Sequence, residues 1–258
     1  MKIINHIIIV LIIFCASGNG PAYPQNDRRI ELTAQEIVAR ADRVLNYPKG
    51  LIKGKIIHIT PDGASNIIEV VGSVSEEDYL FKFATKSRGE ELRVLYNLRG
   101  EEIWVYNILS IKLFNKRGVD KYDPLLGTNY YFIDLSNADL QSNYTAELTG
   151  EAFVKGVDTY KLKLDPIMRG GNYGLLTIYV SKKDFIPLRM DYHDPDKVIF
   201  KTMTIAKVIT RDDRIVPIRY DMLDIRNGTV TLLEFYGFDE DVTFDKKIFI
   251  HQNLGAKE

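Results

Sequence analysis

After Gly50 the chain alternates between apolar and polar positions. Tyr79, Phe81 and Phe83 share one face with Lys82 opposite, and Leu92 and Val94 lie on either side of Arg93. Tyr160, Leu162 and Leu164 alternate with Lys161, Lys163 and Asp165, and Leu188, Met190 and Tyr192 with Arg189 and Asp191. Ile103 and Val105, then Ile111 and Leu113, then Ile218, Tyr220 and Met222 continue the pattern, as do Leu233 and Phe235 around Glu234. A period of two gives strands with one apolar and one polar face. Turn signals fall between them: Asp62-Gly63, Arg99-Gly100, Lys155-Gly156, Asp212-Asp213 and Asn227-Gly228. Asp-Gly and Asn-Gly suit tight hairpins because those positions need positive φ. The pattern predicts an antiparallel meander of roughly ten to twelve strands, a size at which an open sheet tends to curl.

One helix precedes the strands. Thr33 and Glu36 have the spacing of a capping box, in which each side chain satisfies a backbone N–H left free at a helix start. Ile37, Val38, Ala41, Val44 and Leu45 then form one apolar stripe, with Arg40, Asp42 and Arg43 on the other face. Tyr47-Pro48-Lys49-Gly50 ends the helix. A curled sheet with one long helix to cover its apolar side reads as an open barrel plugged by helix. Val119 to Ser142 interrupts the alternation, with Leu125, Leu126, Tyr130, Tyr131, Phe132 and Leu140 among turn residues. It is expected to be loops with a short helix, and a second cover for the concave side.

The N-terminus has the order of a secretory signal peptide: Lys2, an apolar run from Ile3 to Phe14 broken by Asn5 and His6, then Cys15-Ala16-Ser17-Gly18-Asn19-Gly20. The run is shorter than the ~20 apolar residues of a bilayer span. Residues 1–20 are read as signal peptide, 21–30 as linker and 31–258 as one exported domain, with the periplasm as its expected compartment. Cys15 is the only cysteine. Lipidation at Cys15 is the alternative to its loss with the signal peptide, and the bulky Phe14 before it suits lipidation poorly.

A net charge of -1 lacks the basic surplus of nucleic-acid proteins, so nucleic acid is not an expected partner. No Gly-x-Ser-x-Gly elbow, phosphate loop or His-Glu-x-x-His occurs. Tyr192-His193-Asp194-Pro195-Asp196 could offer a metal three ligands, but it is made of turn residues. His58 is a lone candidate ligand, and metal sites need several donors. Arg169 to Gly174 fits no nucleotide fingerprint. Glu76-Glu77-Asp78 and Asp239-Glu240-Asp241 read as solvated turns. No catalytic residue, metal or cofactor is expected, and the chain is not expected to be an enzyme. What remains is the apolar face. The helix content looks too small to fill a curled sheet of this size, which leaves room for a ligand.

Several segments resemble a known superfamily. Leu32-Thr33-Ala34-Gln35-Glu36-Ile37 looks like the start of LolA-like domains. Gly127-Thr128-Asn129-Tyr130 to Leu135 resembles a Gly-Thr-Asp-Phe-type segment of the outer membrane lipoprotein-sorting group within that superfamily, with Asn129 where the group often has Asp. Tyr179 to Arg189, Ile215-Val216-Pro217 through Leu232, and Val242-Thr243-Phe244 to Leu254 resemble its later strands and tail. The resemblance implies an incomplete antiparallel β-barrel, or half-barrel, with a helical lid over a hydrophobic cavity. It also implies carriage of a lipid or of lipoprotein acyl chains, with an inner-membrane lipid transporter as a partner. The functional arginine motifs of LolA proper have no visible match.

The lining expected on this reading comes first from the early strands: Tyr79, Phe81, Phe83, Leu92, Val94, Ile103 and Val105. Leu162, Leu164, Leu188, Met190, Ile218, Tyr220, Leu233 and Phe235 follow from the later ones. Ile37, Ala41 and Val44 come from the helix, and Leu126 and Phe132 from the middle segment. One rival is an envelope-stress sensor of half-barrel fold that binds a membrane-protein partner. Others are a lipid hydrolase, whose nucleophile and base are not found, and a structural protein with a filled core.

Overall fold

A computed structural model describes residues 32–85, 89–136, 139–168 and 171–256. The signal-peptide and linker segments and Cys15 lie outside these residues.

The helix forms as its capping box predicts. Helix α1 spans Ala34–Leu45, Thr33 Oγ1 accepts from the Glu36 N–H, and the Glu36 carboxylate accepts from the Thr33 N–H. Six strands follow: β1 (Gly50–Ile59), β2 (Ser65–Val74), β3 (Tyr79–Thr85), β4 (Glu90–Asn97), β5 (Glu102–Asn107) and β6 (Lys112–Lys116). After a short helix α2 (Leu140–Asn143) come β7 (Tyr144–Val154), β8 (Val157–Pro166), β9 (Leu175–Ser181), β10 (Pro187–His193), β11 (Ile199–Arg211), β12 (Arg214–Asp224) and β13 (Thr229–Asp239). Among the described residues the sheet has thirteen strands, just above the ten to twelve expected. All five signalled turns join strands, but other connections use different chemistry. The β2–β3 turn, for one, is held by Ser75, whose hydroxyl donates to the Asp78 carbonyl.

The strands form two meanders, β1 to β6 and β7 to β13, joined where β1 pairs antiparallel with β13. Ile56 lies opposite Leu233 and His58 opposite Thr231 across that junction. The first and last strands therefore meet in the middle of the sheet, and β6 and β7 are its two free edges.

The sheet is open and strongly curled. Tyr96 on β4 donates to the Phe132 carbonyl, and Lys201 on β11 reaches Asp134, two residues further on. Six strand spacings separate β4 from β11 in the sheet order. Laid flat, that is roughly 29 Å, too far for neighbouring residues to bridge.

The inner face carries the main core, including Phe81, Phe83, Val94, Ile103, Leu162, Leu164, Ile178 and Phe235. Ile37, Val38, Ala41 and Leu45 of α1 are buried in the same cluster. Tyr47, just past the helix, packs edge-on against Tyr79, Phe81 and Phe235. A smaller core lies on the outer face, where Phe249 and Leu254 of the C-terminal segment cover Leu80 and Leu95. Arg93 holds that segment by donating to the carbonyls of Leu254 and Ala256, each at 2.9 Å.

Gly72 on β2 shows how tight the inner face is. It pairs with Phe81, and a Cβ there would stand 2.5 Å from the Phe81 ring. That ring is wedged between Tyr47, Phe83 and Tyr96 and cannot retreat. Gly72→Ala should therefore cost about 1–3 kcal/mol of stability. Urea denaturation checks this: the midpoint should fall with the slope unchanged.

Candidate functional site

The chain between β6 and β7 crosses the inside of the sheet. It is built from short turns at Gly118–Tyr122, Leu125–Gly127 and Phe132–Leu135, followed by α2. Such irregular backbone leaves N–H and C=O groups that need partners once buried. Inward-facing polar groups of the sheet supply them. Asn129 donates through Nδ2 to the carbonyls of Met222 and Thr229, at 3.0 and 2.9 Å. Its backbone N–H reaches Thr231 Oγ1 at 3.0 Å, and its Oδ1 accepts from Thr229 Oγ1. An ionised Asp in this position could not donate to two carbonyls. Tyr130 donates to the Tyr220 carbonyl at 3.2 Å.

The strongest anchor is Lys201. It occupies an inward position of β11, in register with Met203 and Ile205, and is almost wholly buried. Its Nζ lies 2.8 Å from Asp134 Oδ2, 3.1 Å from the Asn129 carbonyl and 2.5 Å from the Tyr173 oxygen. Tyr173 in turn donates to Asp134 Oδ1 at 2.6 Å. The rings of Tyr131, Tyr173 and Tyr192 surround the ammonium at 3.8 to 5.0 Å. Burial pushes the Lys201 ammonium below its usual range, and Asp134 opposes the shift. Burial also drives the Tyr173 hydroxyl well above its ordinary value, with Asp134 adding to it.

Asp42 ties α1 to the same segment. The helical pattern puts it on the polar face, but the structure buries it. Its carboxylate accepts from the backbone N–H of Leu140 at 3.1 Å and of Gln141 at 2.8 Å, so it serves the start of α2 rather than solvent. Burial raises its pKa to about 7, against the pull of those two hydrogen bonds.

Three cavities adjoin this cluster: one of about 280 Å³ lies beside Asn129, Tyr131 and Lys201, and the other two share a wall. The inner one, about 50 Å³, is lined by Leu45, Tyr47, Tyr130, Leu135, Met190, Met203, Tyr220 and Leu233. The outer one, about 280 Å³, is lined by Tyr122, Ile133, Tyr144, Met168 and Tyr173 among others. Asp134, Ser136 and Tyr192 line both and form the partition between them. The expectation of a roomy interior is corrected here. An inner cavity of that size holds a water or two but no acyl chain, because the middle segment and the large inward rings take up the space.

A family model described as "uncharacterized protein"-like matches residues 75–256, more than half of the sequence. The chain belongs to that family. No curated protein matches it. Among solved structures it resembles an outer membrane lipoprotein-sorting protein domain from Vibrio parahaemolyticus, with TM-score 0.75 and 16% identity over 86% of this chain and 98% of that one. A DUF1329 family protein from Desulfovibrio piger gives 0.73 and 18% over 86% and 97%. A LolA superfamily protein from Nitrosomonas europaea gives 0.71 and 20% over 85% and 98%. The fold is LolA-like.

In this LolA-like fold most of the expected lining residues fall in the main core. Val44, Leu126 and Leu188 are half-buried against it, while Ile218 is buried outside that cluster. Only Met190, Tyr220 and Leu233 of them border the inner cavity. Lys201, Asp134 and Tyr173 escaped the sequence reading, although a lysine in step with Met203 and Ile205 was the visible sign. His193 is the last residue of β10 and Asp194 follows it into the turn: His193 pairs with Thr177 and the Lys197 carbonyl, and Asp194 with Arg226 and the Val198 N–H. His58 Nδ1 lies 2.8 Å from Thr231 Oγ1. Among the described residues no helix is long and apolar enough to cross a membrane.

Asp134→Asn leaves the buried Lys201 cation without its hydrogen-bonded carboxylate and should cost about 3–5 kcal/mol. The double variant Lys201→Met/Asp134→Asn should recover much of that, and a double-mutant cycle in denaturant measures the coupling. For Asp42 the folded pKa is raised above the model-peptide value of 3.8. Below that value the native state gains no advantage from pH, and between 3.8 and about 7 it keeps a proton that the unfolded chain has lost. Stability should fall by up to about 1.4 kcal/mol per pH unit across that window and level off above it. Asp42→Asn should flatten that slope in denaturation series at stepped pH.

Proposed function

We propose that this chain is a non-catalytic carrier acting in the periplasm, which takes a lipid or the acyl chains of a lipoprotein against the inner face of its sheet. It passes the cargo to a membrane or to a partner such as an inner-membrane lipid transporter. The observation that carries this reading is the pair of cavities divided by Asp134, Ser136 and Tyr192. An apolar interior stands behind a vestibule, and what separates them is side chains and a removable segment rather than sheet. The LolA-like fold supports the reading at the level of architecture.

The physics needs no covalent step. Each acyl CH₂ kept from water is worth about 0.8 kcal/mol, so a chain of fourteen is worth on the order of 11 kcal/mol. The inner cavity, at about 50 Å³, is too small for an acyl chain as it stands, so uptake requires the middle segment or α1 to move as a lid. The outer cavity is close to the lower end of ordinary ligand sites, roughly 300 Å³, and joining it to the inner one enlarges it. Movement of the Tyr192 ring and of the Asp134–Ser136 backbone would make that connection.

Purified protein should take up a fluorescent fatty acid, and native mass spectrometry should find lipid bound to it. Met203→Trp fills the inner cavity and should weaken uptake by about tenfold or more, the equivalent of losing one buried apolar contact. A chain that is lipid-free by mass spectrometry and indifferent to the probe would overturn the carrier reading.

A further inference from the structure

The β5–β6 hairpin is apolar where a soluble protein's surface is usually polar. Leu109, Ile111, Leu113 and Phe114 are 62, 76, 40 and 48% exposed, and Val119 just beyond is 61% exposed. Scattered exposed apolar residues are ordinary, but a contiguous patch marks an interaction site. The patch wraps its element. Phe114 pairs with Val105, whose side chain points to the inner face, and Leu113 pairs with Tyr106, which belongs to the outer-face core. The hairpin is thus greasy on both faces and at its tip. Ile111, the most exposed of the set, sits at φ 52°, a left-handed conformation that a β-branched residue adopts only at a cost. Asn or Gly would relieve that strain, so the tip keeps an apolar side chain against its own backbone preference.

The charge along the tip and second strand of the hairpin has one sign. From Asn107 to Val119 there are three basic residues, Lys112, Lys116 and Arg117, and no acidic one. Lys116 pairs with Asp123 at the base of the hairpin, Arg117 bonds Asn115, and Glu91 on the neighbouring strand pairs with Arg93. Lys112 follows the tip directly, and Lys116 and Arg117 lie roughly 15 Å behind it along the strand.

We propose that this hairpin is a membrane-docking wedge for an anionic lipid bilayer. Leu109, Ile111, Leu113 and Phe114 enter the headgroup–acyl boundary while Lys112 and Arg117 meet lipid phosphates. A bilayer surrounds what it receives, which suits an element apolar on both faces better than the flat surface of a protein partner would. The inference goes beyond the carrier reading, since it concerns where the chain docks and not what it holds.

Co-sedimentation with phosphatidylcholine vesicles, with and without phosphatidylglycerol, tests it. The chain should bind the anionic vesicles, and added salt should weaken binding. Ile111→Asn, which suits the left-handed backbone and so should not impair folding, and Leu109→Ser should each reduce binding by about tenfold. Lys112→Glu should weaken binding to the anionic vesicles only. Variants that bind as well as the parent chain would overturn the proposal. So would concentration-dependent self-association that Ile111→Asn abolishes, since the patch would then be a protein interface. Fatty-acid uptake measured on Ile111→Asn should match the parent, which separates a failure of docking from a failure of carriage.

Discussion

Irregular backbone can lie inside a protein only if its buried N–H and C=O groups find partners. That requirement governs the interior here. Residues 117–136 and 139–143 run through the inside of the curled sheet without a regular ladder of their own, so the sheet answers with polar groups pointing inward. Asn129 is held by Met222, Thr229 and Thr231, Phe132 by Tyr96, and the Asn129 carbonyl and Asp134 by Lys201. Asp42 does the same for the first residues of α2. A lysine in an otherwise apolar core would be costly alone. It is tolerated because it neutralises Asp134, satisfies a carbonyl and rests among three tyrosine rings.

A plug fastened in this way behaves differently from one held by apolar contacts. Each neutral hydrogen bond that opens is replaced by one to water, so its net worth is about 1 kcal/mol, and charge-assisted ones about 1.5–3 kcal/mol. The closed state is therefore well defined in geometry without being deeply trapped. On the carrier reading, an acyl chain arriving from a bilayer leaves one apolar medium for another and gains little by entering. Loading then depends on what loosens the Lys201–Asp134 and Asp42 contacts, and unloading on their re-forming behind the departing chain.

Much of the architecture was legible. The period-two alternation located most strands, because one face is buried and the other is not. The capping box located α1 because its two partners are three residues apart. What was not legible is non-local. Nothing near Ile56 or Leu233 announces that β1 and β13 pair, yet that contact joins the two meanders. Asp42 looked solvent-facing because a helical wheel knows nothing of the α2 N–H groups above it. Ile111 and Leu113 read like inward strand residues and are exposed instead, because Ile111 lies in the hairpin turn and β6, which carries Leu113, is at the sheet's edge with no neighbour to cover it. Cavity volume is the least legible quantity, since a pattern says which residues face inward but not how well their shapes fill the space.

The segment that fills the sheet also explains why the sheet stays open. Closing it into a barrel would require β6 to pair with β7, but the chain leaving β6 goes inward and emerges only at Tyr144. The outer cavity lies along that gap: Gly118 and Tyr122 follow β6 in its wall, and Asn143 and Tyr144 lead into β7. Met168, 86% exposed, borders the same cavity. Anything moving from solvent toward Met190 and Leu233 through this opening displaces turns and ring side chains but breaks no strand pair. On the carrier reading, one device would reconcile sheet rigidity with interior access: the strands would keep their hydrogen bonds while the irregular segment between the two meanders took up the movement.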